Sequence, residues 1–254
     1  MNYILEVLSQ EMIADNIYKM SIKDSDDNFI KKELKSPGQF VHVRVGDTTE
    51  HVLRRPISIS EIDKDHRFFT IVYRAEGAGT KVMAKLKAGD YIDCLVPLGN
   101  GYTVEALEHV LIVGGGIGVP PLLELVKQFN AAGVKTTHVI GFRSKKDVFY
   151  EKEFNTYGKT YVVTEDGSYG HKGFVTHVLE ALDMNEYDKF YACGPKVMLS
   201  VLDSTLPMPG YISLEERMGC GFGACYACVC QKSDGSQVKL CTDGPVFEKG
   251  EILL

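Results

Sequence analysis

Several things this chain lacks narrow its class before any motif is considered. Nowhere in its 254 residues is there an apolar run long enough to span a membrane. The opening stretch MNYILEVLSQEM turns polar within a few residues, without the basic start, apolar core and small-residue cleavage site of a secretory leader. Together these absences predict a cytoplasmic protein with no membrane partner. Basic charge is also scarce, since 28 Lys and Arg face 34 Asp and Glu for a formal net charge of −6. A nucleic-acid partner, which calls for a basic stripe, is not expected. Neither an internal repeat nor a low-complexity tract occurs, which excludes solenoids and repeat arrays.

Cysteine, by contrast, is concentrated. Of 7 cysteines, all but Cys94 and Cys193 fall in ERMGCGFGACYACVCQKSDGSQVKLC, residues 216–241. A chain of this length buries a core without covalent staples, and in a reducing compartment clustered thiols more often serve metals or redox chemistry than disulfides. A disulfide knot, a zinc site, an iron–sulfur cluster and a buried apolar patch are the accounts to separate.

The rhythm of the chain divides it in three. Over residues 1–99, alternating stretches such as QFVHVRV, RPISISEI and RFFTIVYR lie between polar turns, predicting an antiparallel β-barrel interrupted by a short helix at GTKVMAKLKAGD that Gly89 stops. Over residues 100–208, buried-looking strands (HVLIVGGG, THVIGFR, TYVVTED, KFYACGP) alternate with helical stretches, predicting an α/β domain with a parallel sheet. Residues 209–254 form a small cysteine- and glycine-rich segment too short for a core of its own.

In VLIVGGGIGVPPLLELV a strand runs through Gly114, Gly115, Gly116 and Gly118 into a helix, so amide N–H groups could receive a phosphate. Val119 stands where the dinucleotide fingerprint has its third glycine, and a tight structural turn accounts for the pattern equally well. Cys193, Gly194 and Pro195 end another strand, where ligands of open parallel sheets collect; the bland account is a small buried cysteine.

Taken in order, these motifs resemble the ferredoxin–NADP reductase superfamily, in which a flavin-binding antiparallel barrel precedes a nicotinamide-binding α/β domain. The resemblance implies that Arg55, Pro56, Ile57 and Ser58 form the flavin motif, with Arg55 at the pyrophosphate and Ser58 near the reactive N5 edge. Ile57 replaces the tyrosine that usually stacks there. Val72, Tyr73 and Arg74, then Gly79 and Thr80, match later flavin contacts. The Gly114–Gly118 turn with Cys193, Gly194 and Pro195 matches the nicotinamide half, and TEDGSYG, Thr164 to Gly170, matches further dinucleotide contacts. Glu215 approaches the same crevice, unless SLEERM is a helical turn capped by Ser213 with Glu216.

Cys220, Cys225 and Cys228 have the C-x4-C-x2-C spacing of plant-type [2Fe–2S] ligation, which needs a distant fourth thiolate. Zinc favours paired short hooks, and only one stands here. For the fourth ligand, a two-residue Asp234-Gly235 turn would set Cys241 opposite Cys228 and leave Cys230 about 6–7 Å along the strand. Cys241 is therefore the expected ligand, Cys230 a neighbouring thiol, and Cys94 a core residue.

The order of flavin barrel, nicotinamide domain and C-terminal cluster segment resembles the electron-transfer subunits of class 1B dihydroorotate dehydrogenases. That resemblance implies FAD, one [2Fe–2S] cluster and NAD. It also implies an FMN-containing catalytic subunit as partner, two of each chain in a heterotetramer, and electron flow from FMN through the cluster and FAD to NAD⁺ in pyrimidine biosynthesis. NAD rather than NADP is part of the resemblance, although Arg143, Lys145 and Lys146 follow the second α/β strand, where a 2′-phosphate could bind. The alternatives are a hydrogenase diaphorase or transhydrogenase subunit of similar layout, or a non-enzymatic α/β module with a structural zinc tail.

Overall fold

The computed structural model describes residues 2–24, 29–34, 36–46 and 51–254. Strands β1 (Asn2–Ala14), β2 (Ile17–Lys23), β3 (Phe40–Arg44), β4 (Arg55–Asp63), β5 (Phe68–Arg74) and β6 (Tyr91–Leu98) close into an antiparallel barrel in the order β1-β2-β5-β4-β3-β6. Alternation produces it: Met20 and Ile22 of β2, Ile57 and Ile59 of β4, and Phe69 and Ile71 of β5 point into one core. Helix α1 (Phe29–Glu33) adds Phe29 and Ile30 to that core.

The one short helix expected in the barrel forms as α2 (Ala78–Met83), so α1 is additional, and α2 stops well short of Gly89. Its end tightens to i→i+3 bonds from Lys85 to Val82 and Leu86 to Met83. Gln10 of β1 also donates to the Met83 and Leu86 carbonyls at 3.1 and 2.7 Å, satisfying groups that would otherwise extend the helix.

Beyond the barrel, β7 (His109–Gly115), α3 (Pro120–Ala131), β8 (Lys135–Phe142), α4 (Glu151–Tyr157), β9 (Lys159–Thr164), β10 (His171–Lys172), α5 (Val175–Leu179), β11 (Lys189–Cys193), α6 (Lys196–Thr205) and β12 (Gly210–Ser213) alternate. Every residue of β7 is buried, which is why it reads as an unbroken apolar run rather than an alternation. Pro120 and Pro121 open α3, where the lost N–H groups have no intrahelical partner anyway.

The cysteine-rich segment is not a separate body. Its β12 pairs in parallel with β11, and β15 (Val246–Glu248) adds antiparallel to β12, giving a seven-stranded sheet β10-β9-β8-β7-β11-β12-β15. The boundary placed after residue 208 thus falls just before a strand of this same sheet. Between β12 and β15 lies a hairpin of β13 (Val229–Gln231) and β14 (Gln237–Lys239).

Two local expectations are corrected here. The hairpin pairs Val229 with Lys239 and Gln231 with Gln237, one residue out of the expected register. Asp234 accepts from the Ser236 amide at 2.9 Å and Gly235 takes φ 85°, so the loop holds three residues, not two. Cys228 consequently faces Leu240, whose amide donates to its carbonyl at 2.9 Å, and Cys241 lies past the strand end. The capped helical turn at SLEERM does not form either: Ser213 ends β12 and residues 214–218 run on without regular structure.

Barrel and sheet are joined by direct bonds as well as packing. Glu124 of α3 accepts the Ile62 amide of β4 at 2.9 Å, and Ser60 donates to the Tyr150 hydroxyl at 3.2 Å. Both bonds fasten the far end of β4, whose near end carries Arg55 to Ser58.

Candidate functional site

A crevice of about 980 Å³ opens where the barrel meets the α/β sheet, within the range of cofactor sites. Arg55, Pro56, Ile57, Ser58, Val72, Tyr73, Arg74 and Thr80 all line it. Gly79 lies behind: a Cβ there would come 2.8 Å from the Arg55 guanidinium, which also donates to the Leu53 carbonyl. Only a residue without a side chain lets Arg55 lie flat over the start of α2. Ile57, 8 % exposed, belongs to the barrel core while still reaching the crevice. The Tyr73 hydroxyl donates to Gln10 at 2.6 Å, so its polar end ties β5 to the residue that caps α2.

The nicotinamide motifs come together on the neighbouring sheet end. Cys193 pairs with Gly114 on one side and Ser213 on the other. A Cβ on Gly118 would sit 2.5 Å from the Cys193 carbonyl group, and one on Gly115 would meet Pro195 at 2.8 Å. Val119 occupies the fingerprint's third glycine position and packs over Gly114 instead, at 2.9 Å from where a Cβ would stand. Ile117 carries this turn to the crevice wall, while the glycines, Cys193, Gly194 and Pro195 stand behind it.

Burial raises the pKa of the Cys193 thiol, and Glu215 beside it raises it further, so the thiol stays protonated. Glu215 faces the crevice, and desolvation by the surrounding walls raises its own pKa. The basic groups considered for a 2′-phosphate are engaged elsewhere: Arg143 with Glu76 at 3.6 Å, Lys146 with Asp15 at 3.1 Å, and Lys145 over the Tyr169 ring.

Sequence reasoning missed much of the crevice's other side. His51, Val52, Leu53 and Arg54 precede RPIS, and Leu214, Glu216, Arg217, Met218 and Leu240 come from the cysteine segment, around the Glu215 that was expected there. The paired arginines at 54 and 55 offered a signal, but Arg54 is a strut: it bridges to Asp93 at 2.8 Å.

The cysteine loop arranges its sulfurs in two pairs. The Cys220 amide points to the Cys225 sulfur at 3.4 Å and the Cys225 amide returns to the Cys220 sulfur at 3.3 Å. Cys228 and Cys241 are hydrogen-bonding neighbours, and Cys241 also feels Cys220. Although burial opposes ionisation of Cys220, amides of Phe222, Cys225 and Ala224 outweigh it and lower its pKa to about 6. Burial pushes Cys241 up to about 12, with the Cys228 thiol adding to the effect. Among the described residues, no group of three or more His, Cys, Asp or Glu side chains converges on a single metal-ion position. Cys230 stands aside, 4.0 Å from the Cys228 carbonyl, in the field of Glu216 and Lys196. Cys94 is fully buried in the barrel core.

Comparison with known proteins agrees with this layout. Residues 215–253 match the family model described as the iron-sulfur cluster binding domain of dihydroorotate dehydrogenase B, and residues 112–203 match the oxidoreductase NAD-binding domain. A Lysinibacillus sphaericus protein named dihydroorotate dehydrogenase B (NAD(+)), electron transfer subunit, is 52 % identical over 257 residues, with 98 % of each chain covered. One of the same name from Fusobacterium nucleatum is 54 % identical over 247 residues, covering 94 % of each. Among solved structures, an NADH-dependent reduced ferredoxin-NADP oxidoreductase described for flavin-based electron bifurcation superposes with a TM-score of 0.88 at 30 % identity, over 99 % of this chain and 90 % of that one. The FAD/NAD-binding domain of a Vibrio cholerae nitric oxide dioxygenase shares the fold, with a TM-score of 0.67 at 17 % identity over 80 % and 91 % of the two chains. With a barrel, a sheet and a cysteine loop in this order, and relatives matched along nearly their full length, the chain belongs to the family of dihydroorotate dehydrogenase B electron transfer subunits.

Proposed function

We propose that this chain receives electrons one at a time at its cysteine segment and delivers them in pairs to NAD⁺ at the crevice. It is an oxidoreductase subunit that uses FAD, one [2Fe–2S] cluster and NAD. The observation that carries the reading is a shared wall: Met218 and Leu240, near neighbours of Cys220 and Cys241 in the chain, also line the crevice of the flavin motif. When bound, the flavin supplies the exchange between hydride transfer at nicotinamide and single-electron transfer at an iron–sulfur cluster.

The residues fit that use. Arg55 and Arg74 bring positive charge to the crevice, suited to a diphosphate, and the bare Cα of Gly79 lets Arg55 lie over α2. Ser58 presents a hydroxyl on the same wall, while Ile57 offers a flat apolar surface. The Gly114–Gly118 turn packs on Cys193, Gly194 and Pro195 and directs Ile117 toward the crevice, the side from which nicotinamide is received. Glu215 on the crevice wall, with the neutral thiol of Cys193 buried behind it, is able to place or hold a proton. Cys220, Cys225, Cys228 and Cys241 are the cluster ligands; their two-and-two pairing suits a centre of two irons better than one tetrahedral ion, and loop amides offset thiolate charge.

The partner is an FMN-containing dihydroorotate dehydrogenase subunit, two of each chain assemble, and the pathway is pyrimidine biosynthesis in the cytoplasm. No described helix is long and apolar enough to cross a membrane. Identities of 52 and 54 % to dihydroorotate dehydrogenase subunits, against 30 % to the bifurcating oxidoreductase, favour this over a transhydrogenase-type complex.

Anaerobic titration of the purified chain with NADH is expected to bleach a flavin band and a cluster band together. A colourless chain loaded with stoichiometric zinc would overturn the reading. Mixed with the FMN subunit, it should support dihydroorotate-dependent NAD⁺ reduction; failure there with both bands intact would retain the electron carrier and remove the pyrimidine partner.

A further inference from the structure

His42 lies in the middle of β3, between Pro56 of β4 and Leu95 of β6, and none of its surface is exposed. Among the described residues, neither ring nitrogen makes a hydrogen bond of ordinary geometry. A buried imidazole so weakly held recovers little of its cost of desolvation, and the barrel alone would be better served by an apolar side chain. What it touches is the cysteine loop. A Cβ on Gly221 would come 2.3 Å from Nδ1 and 3.0 Å from Cε1 of the ring, so Gly221, at φ 79°, rests directly on the imidazole. The polar groups acting on the ring include the backbone acceptors of Cys220 and Arg54, at longer reach than an ordinary hydrogen bond, and the charges of Arg54 and Arg55. On its other flank, Arg54 reaches the His42 carbonyl at 3.4 Å and the Asp93 carbonyl at 3.0 Å, and Arg54 and Pro56 line the crevice. His42 therefore stands between the crevice wall and the first cysteine of the loop.

We propose that His42 is a positioning residue for the cluster: its ring seats the Cys220–Gly221 peptide on the barrel and, through a ring N–H to the Cys220 carbonyl, fixes that cysteine relative to the flavin crevice. The inference rests on Cys220 being a cluster ligand. Outer partners of this kind orient a ligand and tune its centre, and their loss weakens binding by about 10- to 100-fold.

The test uses the full chain loaded anaerobically with FAD, iron and sulfide. His42→Phe keeps the ring's bulk and removes both nitrogens. It is expected to retain FAD yet lose iron to a chelator roughly tenfold faster or more, and to shift the electron paramagnetic resonance spectrum of the NADH-reduced cluster; His42→Gln, which restores a donor, should recover part of both. Iron release and spectra of His42→Phe matching the parent would overturn the proposal. Should His42→Phe fail to fold, His42→Leu and His42→Gln are compared instead: the leucine variant should release iron roughly tenfold faster than the parent and the glutamine variant less so. Equal release from the two would overturn the proposal, whereas a parent chain that binds no iron and sulfide would overturn the ligand reading beneath it.

Discussion

His138 of β8 and His42 of β3 are both fully buried imidazoles, but the sheet holds one by both nitrogens, whereas among the described residues the other has no hydrogen bond of ordinary geometry. Thr160 lies 2.9 Å from Nδ1 of His138 and Thr136 2.8 Å from Nε2. The glycines of the two regions differ in what they press on. In the turn after β7, Gly118 is pressed against the backbone of Cys193, while Gly114 and Gly115 meet side chains of the following helices and of Pro195. In the cysteine loop, Gly221 and Gly223 have positive φ and abut side chains, His42 and Thr242. The turn after β7 is thus closed by a backbone contact within one sheet at Gly118, while the cysteine loop takes its shape from side chains and sulfurs contributed by separate segments.

Removing a sulfur tests that difference most severely. Cys241→Ser should abolish the cluster's visible absorption while the flavin remains, because Cys241 completes the pair with Cys228. Cys230→Ser should leave the absorption intact. Loss in Cys230→Ser with retention in Cys241→Ser would move the fourth ligand to Cys230.

The next largest effect lies within one turn of the other region. Gly118→Ala forces a methyl group onto the Cys193 carbonyl and should lower kcat/KM for NADH roughly 100-fold through misplacement of the turn. Gly116→Ala, at φ 54° with nothing within 4 Å, should cost only about 1 kcal/mol of stability. The two are compared by NADH oxidation with an artificial acceptor and by urea unfolding. If Gly116→Ala lost as much activity as Gly118→Ala, close backbone approach would not be what organises the turn.

Much of this was legible in the residue pattern, for identifiable reasons. Alternation in β2, β4 and β5 gives the barrel, because each strand has one face in its core. The unbroken run of β7 gives the parallel sheet, since helices cover both of its faces. RPIS, VYR and GAGT meet at one crevice because β4, β5 and the start of α2 are neighbours there. What escaped depends on contacts between distant segments. Glu215 was expected at the crevice, but its neighbours Leu214, Glu216, Arg217 and Met218 carry no local sign that they wall it, and Ser213 resembles a helix cap but ends a strand beside Cys193. Cys241 was placed beside Cys228 through an ideal two-residue turn. The real loop is one residue longer, and the two thiols still meet because the chain turns back after Leu240. His42 escaped altogether, since nothing within QFVHVRV distinguishes a histidine facing the cysteine loop from one facing solvent.

Acid should separate the two regions least, and in a predictable direction. Burial lowers the pKa of His138 to about 3, against 6.5 for the free side chain. The unfolded chain therefore takes up a proton that the folded sheet refuses between those values, and stability falls as pH drops through that window. At pH 5 the loss is about 2 kcal/mol relative to neutral pH. Replacing the imidazole by an uncharged amide in His138→Gln should flatten this part of the pH dependence, even if the variant is less stable at pH 7.5. The comparison is made from urea midpoints at pH 7.5, 6 and 5. A slope unchanged by the substitution would show that His138 charges inside the sheet and that burial does not hold it neutral.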